Sequence, residues 1–306
     1  MSAHKKNSRS SAIATAMRNW LATPTMLMSV AGVIAACGMG PFLPAILPDL
    51  QALAEYHVPL DQVQISPPNE WVPQNFMADV VANSELPQEV SLLRPELAKT
   101  LAEAFGNHPW VREVKSIRIT GQRTIVADLE YRLPVAFIKT SEGLYAVDVD
   151  GVLLPPDSFT AADFDLLPHV ENIASLPPGI PGQRWSDPLV HHALQVAQTL
   201  TPDADLQRYW KHFDLKSIIA PQPATPDEAL PHRLTFELAT NSGSRIIWGH
   251  PPSGDDLEPT VAQKLGRMDQ YLQQFGGFNK PQGPYRIDIR HFDAISLQPL
   301  DERRYH

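Results

Sequence analysis

A short acidic motif is the first place where this 306-residue chain could bind an ion. Asp148-x-Asp150-Gly151 resembles the start of a calcium loop. A complete loop needs further oxygen ligands and a glutamate at its twelfth position, but apolar residues follow here. We therefore interpret Asp150-Gly151 as a hairpin turn and predict no metal site.

The histidines do not form a recognisable catalytic or metal-binding pattern. His191 and His192 are adjacent in a predicted helix, where neighbouring side chains point in different directions and cannot share one metal. His108, before a proline, is interpreted as a capping or packing residue. Motifs of zinc proteases, serine hydrolases and phosphate-binding loops are missing from the sequence. We predict no catalytic residue and no cofactor, so an enzyme is the least favoured hypothesis.

The charge is unevenly distributed along the chain. Residues 1–48 carry four basic and no acidic side chains, and the remainder carries 21 basic and 34 acidic ones, a formal charge of −13. Nucleic-acid binding requires a basic surface, so this acidic body argues against it. We also predict no small-molecule substrate, which leaves protein binding as the favoured activity.

An uncharged N-terminal segment predicts a membrane anchor. Residues 1–18 are polar and basic and are interpreted as a cytoplasmic tail, whereas 19–48 contain no charged residue. These 30 residues exceed the roughly 20 that a membrane-spanning helix needs. Trp20 lies where an interfacial aromatic residue is expected, and the basic tail predicts a cytoplasmic N-terminus. The apolar anchor residues that we single out are Leu27, Val30, Val33 and Ile34.

Two alternatives to a retained anchor remain open. A cleaved secretory signal has a similar basic flank and apolar core. Ile34-Ala35-Ala36-Cys37 also matches a bacterial lipobox, in which Cys37 would be lipidated. We favour the retained anchor because the uncharged segment is so long. All three interpretations place the body outside the cytoplasm, and the single cysteine allows no intrachain disulfide.

Hydrophobic periodicity predicts a small α+β module at 61–133, after a linker at 49–60. The order is strand, helix, helix, strand, strand. The predicted elements are a strand at 63–65, a helix at 76–81, a helix at 93–105 with Gly106 as a left-handed cap, and strands at 114–119 and 125–131.

The remaining residues, 134–300, predict a second, strand-rich module, followed by a tail at 301–306. Its predicted strands are 135–138, 144–147, 213–219, 234–238, 244–248, 285–290 and 293–297, with helices at 189–200 and 260–275. The chain holds 30 prolines, and the proline-rich passage at 155–188 has no assigned role. By itself the pattern leaves two options for the last strand: it closes the sheet, or its free edge accepts a strand from a partner.

Several motifs in this order resemble the bacterial cell-division proteins FtsQ and DivIB. The motifs are His108-Pro109-Trp110-Val111, Leu129-Glu130-Tyr131-Arg132-Leu133-Pro134-Val135-Ala136, Val147-Asp148-Val149-Asp150-Gly151, Ile246-Ile247-Trp248-Gly249 and Asp288-Ile289-Arg290. The resemblance implies an α+β protein with an N-terminal transmembrane helix, a POTRA module (β-α-α-β-β) and a mixed α/β β-domain with a C-terminal edge strand. The chain departs from the family at Pro67-Pro68, where a glycine turn is usual.

The resemblance also implies a function. Proteins of this family are single-pass scaffolds of the inner membrane that bind the small division proteins FtsB and FtsL through their last strands. The matching positions are Arg290, His291 and Phe292, with a tyrosine usual in place of His291. The strand that would receive the partner contains Ala294, Ile295 and Leu297. The alternative is a POTRA-containing envelope lipoprotein, or a factor for export or outer-membrane assembly, lipidated at Cys37.

Overall fold

The computed structural model describes residues 28–29, 32–33, 53–121, 123–225, 227–228, 230–252, 258–292 and 294–300. The chain divides into two compact units, Met1–His57 and Val58–His306. In the first unit, Met28, Ser29, Gly32 and Val33 have helical backbone, and Ala54–Tyr56 form a 3-10 turn.

The predicted anchor at 19–48 lies almost entirely outside the described residues. Val33 is described and is exposed. The other anchor residues and the predicted lipidation site lie outside: Trp20, Leu27, Val30, Ile34 and Cys37. Across the part of the chain that is described, no helix has both the length and the apolar character needed to cross a membrane.

The second unit begins with a three-stranded sheet packed against two helices. Its elements are β1 (His57–Pro59), β2 (Gln64–Ile65), α1 (Phe76–Asn83), β3 (Glu89–Ser91), α2 (Leu97–Gly106), β4 (Val111–Ile119) and β5 (Ile125–Tyr131). The sheet order is β2-β5-β4, with β2 parallel and β4 antiparallel to β5, and β1 pairs with β3. The strands and helices predicted for this region are present, with two added short strands, β1 and β3.

The second helix corrects two predictions. The helix was expected from Leu93, but it begins at Leu97, and Leu93 is exposed. Pro95 explains the late start, because a proline disfavours helical backbone in the residue before it. Gly106 was expected to be a left-handed cap. It is the last helical residue instead, and Asn107 follows it in right-handed helical conformation.

An eight-stranded sheet occupies the rest of the second unit. Its strands are β6 (Pro134–Lys139), β7 (Leu144–Asp148), β8 (His169–Glu171), β9 (Leu215–Ile219), β10 (Phe236–Thr240), β11 (Arg245–Gly249), β12 (Tyr285–Asp288) and β13 (Ser296–Pro299). The order is β13-β12-β11-β10-β9-β8-β6-β7. Helices α3 (Pro188–Leu200) and α4 (Val261–Phe275) and a π-helical turn (Gln207–Lys211) complete the described elements, besides short 3-10 turns. The chain is therefore mixed α+β, as predicted.

Two hydrophobic clusters stabilise these sheets. One joins α1, α2 and the three-stranded sheet, with Trp110, Phe105 and Leu101 almost completely buried. The other joins the eight-stranded sheet to α3 and α4, through Leu194, Trp248 and Met268 among others. In β5 and β10, alternate residues are buried because successive side chains of a strand point to opposite faces.

The structure confirms the hairpin turn at Asp150-Gly151. Gly151 has a φ of +74°, and its N–H donates to the carbonyl of Asp148 at 3.0 Å. The fully buried Asp148 carboxylate accepts hydrogen bonds from the backbone of Asp150 (3.0 Å) and Val152 (2.8 Å) and from Arg132 Nη1 (2.5 Å). These donors occupy the oxygens that a calcium ion would need.

The last strand begins three residues and ends two residues further along the chain than predicted. It was expected at 293–297 and is found at Ser296–Pro299, so Ala294 and Ile295 precede it. Pro299, expected to stop the strand, is its last residue and pairs with Tyr285. A proline is compatible with this position because an edge strand leaves every second N–H group without a ladder partner.

Candidate partner-binding edge

Strand β13 lies at one end of the eight-stranded sheet. Its neighbour is β12, which it pairs with in antiparallel register from Tyr285↔Pro299 to Asp288↔Ser296. All four of its residues are exposed. Among the described residues no strand pairs with its other side, so the last strand is an open edge.

The hydrogen-bond alternation shows which backbone groups face outward. The N–H of Leu300 donates to the carbonyl of Pro284 at 3.0 Å, so this pair belongs to the hydrogen-bonded set. Hydrogen-bonded and non-hydrogen-bonded pairs alternate along antiparallel strands. The backbone groups of Ser296 and Gln298 therefore face β12, and those of Leu297 and Pro299 face outward. Leu297 offers both an N–H and a carbonyl, whereas Pro299 offers a carbonyl alone.

A turn connects β12 to β13, and Arg267 of α4 holds it. Arg267 Nη1 donates to the carbonyls of Ile289 (2.7 Å) and His291, and Nη2 donates to the carbonyl of Phe292. Ile289 is buried in the sheet's core cluster. One guanidinium thus fixes three carbonyls of the turn, and this places the start of β13 relative to α4.

Helix α4 is itself well anchored. Thr260 caps its N-terminus in a capping box with Gln263, and Gly276 ends it in left-handed conformation, as the glycine predicted. Lys264 Nζ is buried, lies 2.6 Å from Glu258 Oε2 and 5.2 Å from the centre of the Trp248 ring. Burial lowers the pKa of Lys264, although the Glu258 carboxylate opposes this shift.

Charged groups surround the turn on the opposite side. Arg290 binds the Asp288 carboxylate through Nε (3.0 Å), Nη2 (2.8 Å) and its backbone N–H (3.0 Å). Burial raises the pKa of Asp288. The hydrogen bonds from Arg290 and the nearby charges of Arg290 and His291 together lower the pKa by more than this, so the net effect is a lowered pKa. The same ion pair raises the pKa of Arg290. His291 Nε2 lies 3.7 Å from Asp288 Oδ2 and its side chain is mostly exposed.

A groove of about 350 Å³ runs between α4 and the last strand. Its apolar residues are Phe275 of the helix and Phe292, Ile295 and Leu297 of the terminal segment, with Tyr271 beneath. The Phe292 side chain is 57% exposed and that of Leu297 is 39% exposed. Large apolar side chains exposed next to an open strand edge are typical of a protein-binding surface.

The six predicted partner-binding residues lie close together, but they have different roles. Phe292, Ala294, Ile295 and Leu297 line the groove. Arg290 and His291 face Asp288 instead, and Arg290 is engaged in that ion pair. Among the described residues, no group of three or more histidine, cysteine, aspartate or glutamate side chains could hold a metal ion.

Sequence reasoning missed Arg267. Its side chain fixes the turn only because α4 packs beside residues 289–292 in three dimensions. Nothing in the helical stripe of Val261, Leu265, Met268 and Leu272 marks a neighbouring arginine as a turn-holding residue.

Sequence comparison does not assign the chain to a family. No model of a protein family matches it, and a comparison with curated proteins finds no match. The resemblance to division proteins therefore remains a prediction from the motifs. The structure establishes the class of protein only as mixed α+β.

Proposed function

We propose that this chain is a non-catalytic, membrane-anchored scaffold of the bacterial cell-division machinery, with its body outside the cytoplasm. In this proposal, residues 61–133 form a POTRA module and 134–300 form the β-domain of an FtsQ-like protein. Its partners are small single-pass division proteins that resemble FtsB and FtsL. The observation that carries the proposal is the open outer edge of β13 beside a groove of mixed polarity, in which Phe292 and Leu297 are exposed.

Strand addition is the binding mode that this edge supports best. In that mode a partner segment extends the sheet, main-chain hydrogen bonds give affinity and alternate side chains give selectivity. The outward groups are the N–H and carbonyl of Leu297 and the carbonyl of Pro299, which allow only a short ladder. A short ladder gives limited affinity, so the groove must contribute by receiving an apolar side chain of the partner.

The element order of 61–133 supports the POTRA part of the proposal. Strand β2 is followed by α1, the short β3, α2, β4 and β5, and β2, β5 and β4 form a sheet in that order with the long β4 at its edge. Arg132, which ends this region, forms the buried ion pair with Asp148 at the start of the next one. A rigid connection of this kind suits a scaffold that must present binding surfaces at fixed positions.

The experiment is co-purification of the full-length chain with the FtsB-like and FtsL-like proteins of the same genome. Leu297→Pro removes the outward N–H and the groove-lining side chain, and an edge position tolerates proline. We expect capture to fall by about tenfold or more, the scale of a lost interface anchor. The matched control is Gln298→Ala, whose backbone faces β12, and it should leave capture within about twofold. Undiminished capture by Leu297→Pro, or equal losses in both variants, contradicts strand addition.

Localisation tests the cellular role separately from the binding mode. A fluorescent fusion of the full chain is expected to form a band at mid-cell in dividing cells. A uniform envelope signal contradicts the division role. Incorporation of radiolabelled lipid at Cys37 would then identify the chain as an envelope lipoprotein.

A further inference from the structure

A second candidate site lies far from β13 in the sequence, beside the buried Trp110. It is a cavity of about 690 Å³, within the size range of ligand-binding clefts. We call it the Trp110 cavity. Its apolar wall contains Val80, Ala104, Ile180 and four prolines: Pro73, Pro109, Pro155 and Pro181. None of the six residues predicted to bind a partner lines it, so this site is independent of the proposed function.

The wall formed by the proline-rich passage is fixed by backbone hydrogen bonds. Gly182 donates to the carbonyl of Leu153 at 2.8 Å, and Leu153 donates to the carbonyl of Gln183 at 2.9 Å. Gly182 has a φ of +89° and lies so close to Pro109 that an added Cβ would be 3.5 Å from the Pro109 Cα. Trp110 Nε1 donates to Ser158 Oγ at 3.4 Å. The cavity is therefore built before any ligand arrives.

His108 supplies an unpartnered hydrogen-bond donor in this cavity. Its side chain is buried, with 9% of its surface exposed, and packs edge-on against Phe76 at 4.6 Å between ring centres. Its Nδ1 accepts the backbone N–H of Trp110 at 3.3 Å, which leaves the proton of the neutral ring on Nε2. Burial lowers the pKa of His108 and the Asp79 carboxylate raises it less, so the ring is neutral at pH 7. Among the described residues, Nε2 has no hydrogen-bond partner.

The polar residues of the cavity favour a cationic ligand. Two carboxylates, Asp79 and Asp157, line it, together with the hydroxyl of Ser158. Three asparagines also line it, Asn75, Asn83 and Asn107, and the Asn75 amide already donates to Asp79 Oδ1 at 3.0 Å. Among the described residues that line the cavity there is no lysine or arginine. An anionic ligand would meet only negative charge, whereas a basic group finds complementary charge.

The same residues favour a peptide over a sugar. Sugar sites usually present an exposed aromatic face, but Trp110 is 1% exposed and belongs to the core. Proline and isoleucine walls instead suit the aliphatic stem of a lysine or arginine side chain, whose charged head stays near water. The donor on His108 suits a peptide carbonyl, and the asparagine amides suit a peptide backbone.

We propose that the Trp110 cavity binds an extended basic segment of another polypeptide. A backbone carbonyl of that segment accepts a hydrogen bond from His108 Nε2, and a lysine or arginine head pairs with the Asp79 and Asp157 carboxylates. The prolines pack against the aliphatic stem of that side chain. This chain thereby has a second protein-binding surface, with a partner chemistry different from that of the apolar edge at β13.

The test uses the full-length chain and three fluorescein-labelled decapeptides, built from repeats of Ser-Lys, Ser-Gln and Ser-Glu. Fluorescence anisotropy is measured at about 0.15 M salt, where long-range attraction is screened. We expect the lysine peptide to bind about tenfold more tightly than the other two. Equal binding of all three overturns the proposal, and so does displacement of the lysine peptide by tri-N-acetylglucosamine, which would identify a sugar site.

Matched variants separate the cavity from the general acidity of the chain. Asp79→Asn with Asp157→Asn should weaken lysine-peptide binding by about tenfold, the combined effect of two ion pairs. The control, Asp61→Asn with Asp165→Asn, changes the net charge equally at exposed positions and should stay within about twofold. Equal losses in the two double variants overturn the proposal. His108→Phe keeps the ring packing, removes the donor and should weaken binding about threefold to tenfold; unchanged binding overturns the role of Nε2.

Discussion

The two ends of the eight-stranded sheet are finished in different ways. At one end, β7 is covered by the segment that follows it: Leu153 bridges to Val147, and Leu154 donates to the carbonyl of Ala146 at 2.9 Å. Val152 of this segment forms an antiparallel bridge with Arg184, so the segment that covers β7 is itself paired. At the other end, β13 has no such cover among the described residues. The same sheet thus has one protected and one open margin.

The covered end depends on a buried carboxylate. Asp148 ends β7, caps its own turn and pairs with Arg132, so one side chain directs the chain back over the strand. The open end depends on an arginine, because Arg267 fixes the turn before β13 from the side of α4. Open edges promote unwanted association, and proteins normally shield them. An open margin of this kind is what the proposed strand addition requires.

The open margin is also restrained. Pro299 removes one outward N–H, so an indiscriminate long ladder cannot form there. Under the proposed function, the exposed side chains of Phe292 and Leu297 would select which segment can pair. This combination favours a specific partner over general aggregation.

The largest expected effect is at the covered end. Asp148→Ala leaves Arg132 with only the more distant Asp150 carboxylate, at 3.9 Å, and leaves two backbone N–H groups unsatisfied, so we expect a loss of about 3–5 kcal/mol in the free energy of unfolding. Urea denaturation measures it. The control, Asp150→Ala, removes an exposed partner of Arg112 and the more distant of the two carboxylates near Arg132, and it should cost about 0–1 kcal/mol. Similar losses in the two variants would mean that Asp148 does not fix the segment that covers β7.

Next in size is Arg267→Ala at the open end. Removing the guanidinium leaves the carbonyls of Ile289, His291 and Phe292 without their donor, and we expect a local loss of about 2 kcal/mol. Amide hydrogen exchange at Gln298 and Leu300 measures this loss. The N–H of Gln298 faces β12, and the N–H of Leu300 donates to the carbonyl of Pro284, just before β12. Gln270→Ala, which lines the same groove, should leave this exchange unchanged. Unaltered protection in Arg267→Ala would show that β12 alone positions the last strand.

Regular elements of this fold were predictable from the sequence because their periodicity is local. Short sequence patterns are enough to predict three of these features: the apolar stripe of α4, the alternation of buried residues in β5, and the glycine after Phe275 that ends α4. The predicted start of α2 at Leu93 was wrong because Pro95 disfavours helical backbone in the residue before it, and the spacing of apolar residues does not show this restriction. The edge position of β13 could be offered only as one of two options, since strand order depends on contacts between distant residues.

The candidate site was predictable in place but not in detail. Phe292 was identified from the family resemblance, and Ile295 and Leu297 were identified because they lie on a predicted short apolar strand. Arg267 was missed because its contacts span more than twenty residues. The Trp110 cavity was missed for a similar reason: Asp79, His108 and Asp157 come together only through the path of the proline-rich passage.

A smaller effect tests how the cover is shaped. Gly182→Ala forces a side chain onto a left-handed residue that lies against Pro109, and we expect a cost of about 1–2 kcal/mol. Thermal unfolding measures the cost, and hydrogen exchange at Leu153 should increase because Leu153 bonds to Gln183. Gly179→Ala is the matched control, because an added Cβ there meets open space. Equal results for the two glycines would mean that the backbone at 182 is not restrictive.

The smallest effect concerns pH at the open end. The pKa of Asp288 is lowered in the folded protein, so its ionised form contributes stability above its unfolded pKa of about 4. That contribution is lost as the pH falls through the folded pKa. Asp288→Asn should therefore cost up to about 1 kcal/mol at pH 7, and the difference from wild type should shrink below about pH 4. Asp61→Asn, at an exposed position, should show little difference at either pH. If the stability difference between Asp288→Asn and wild type instead grew on acidification, burial would raise the pKa of Asp288 by more than Arg290 lowers it. The ionised carboxylate would then destabilise the folded protein.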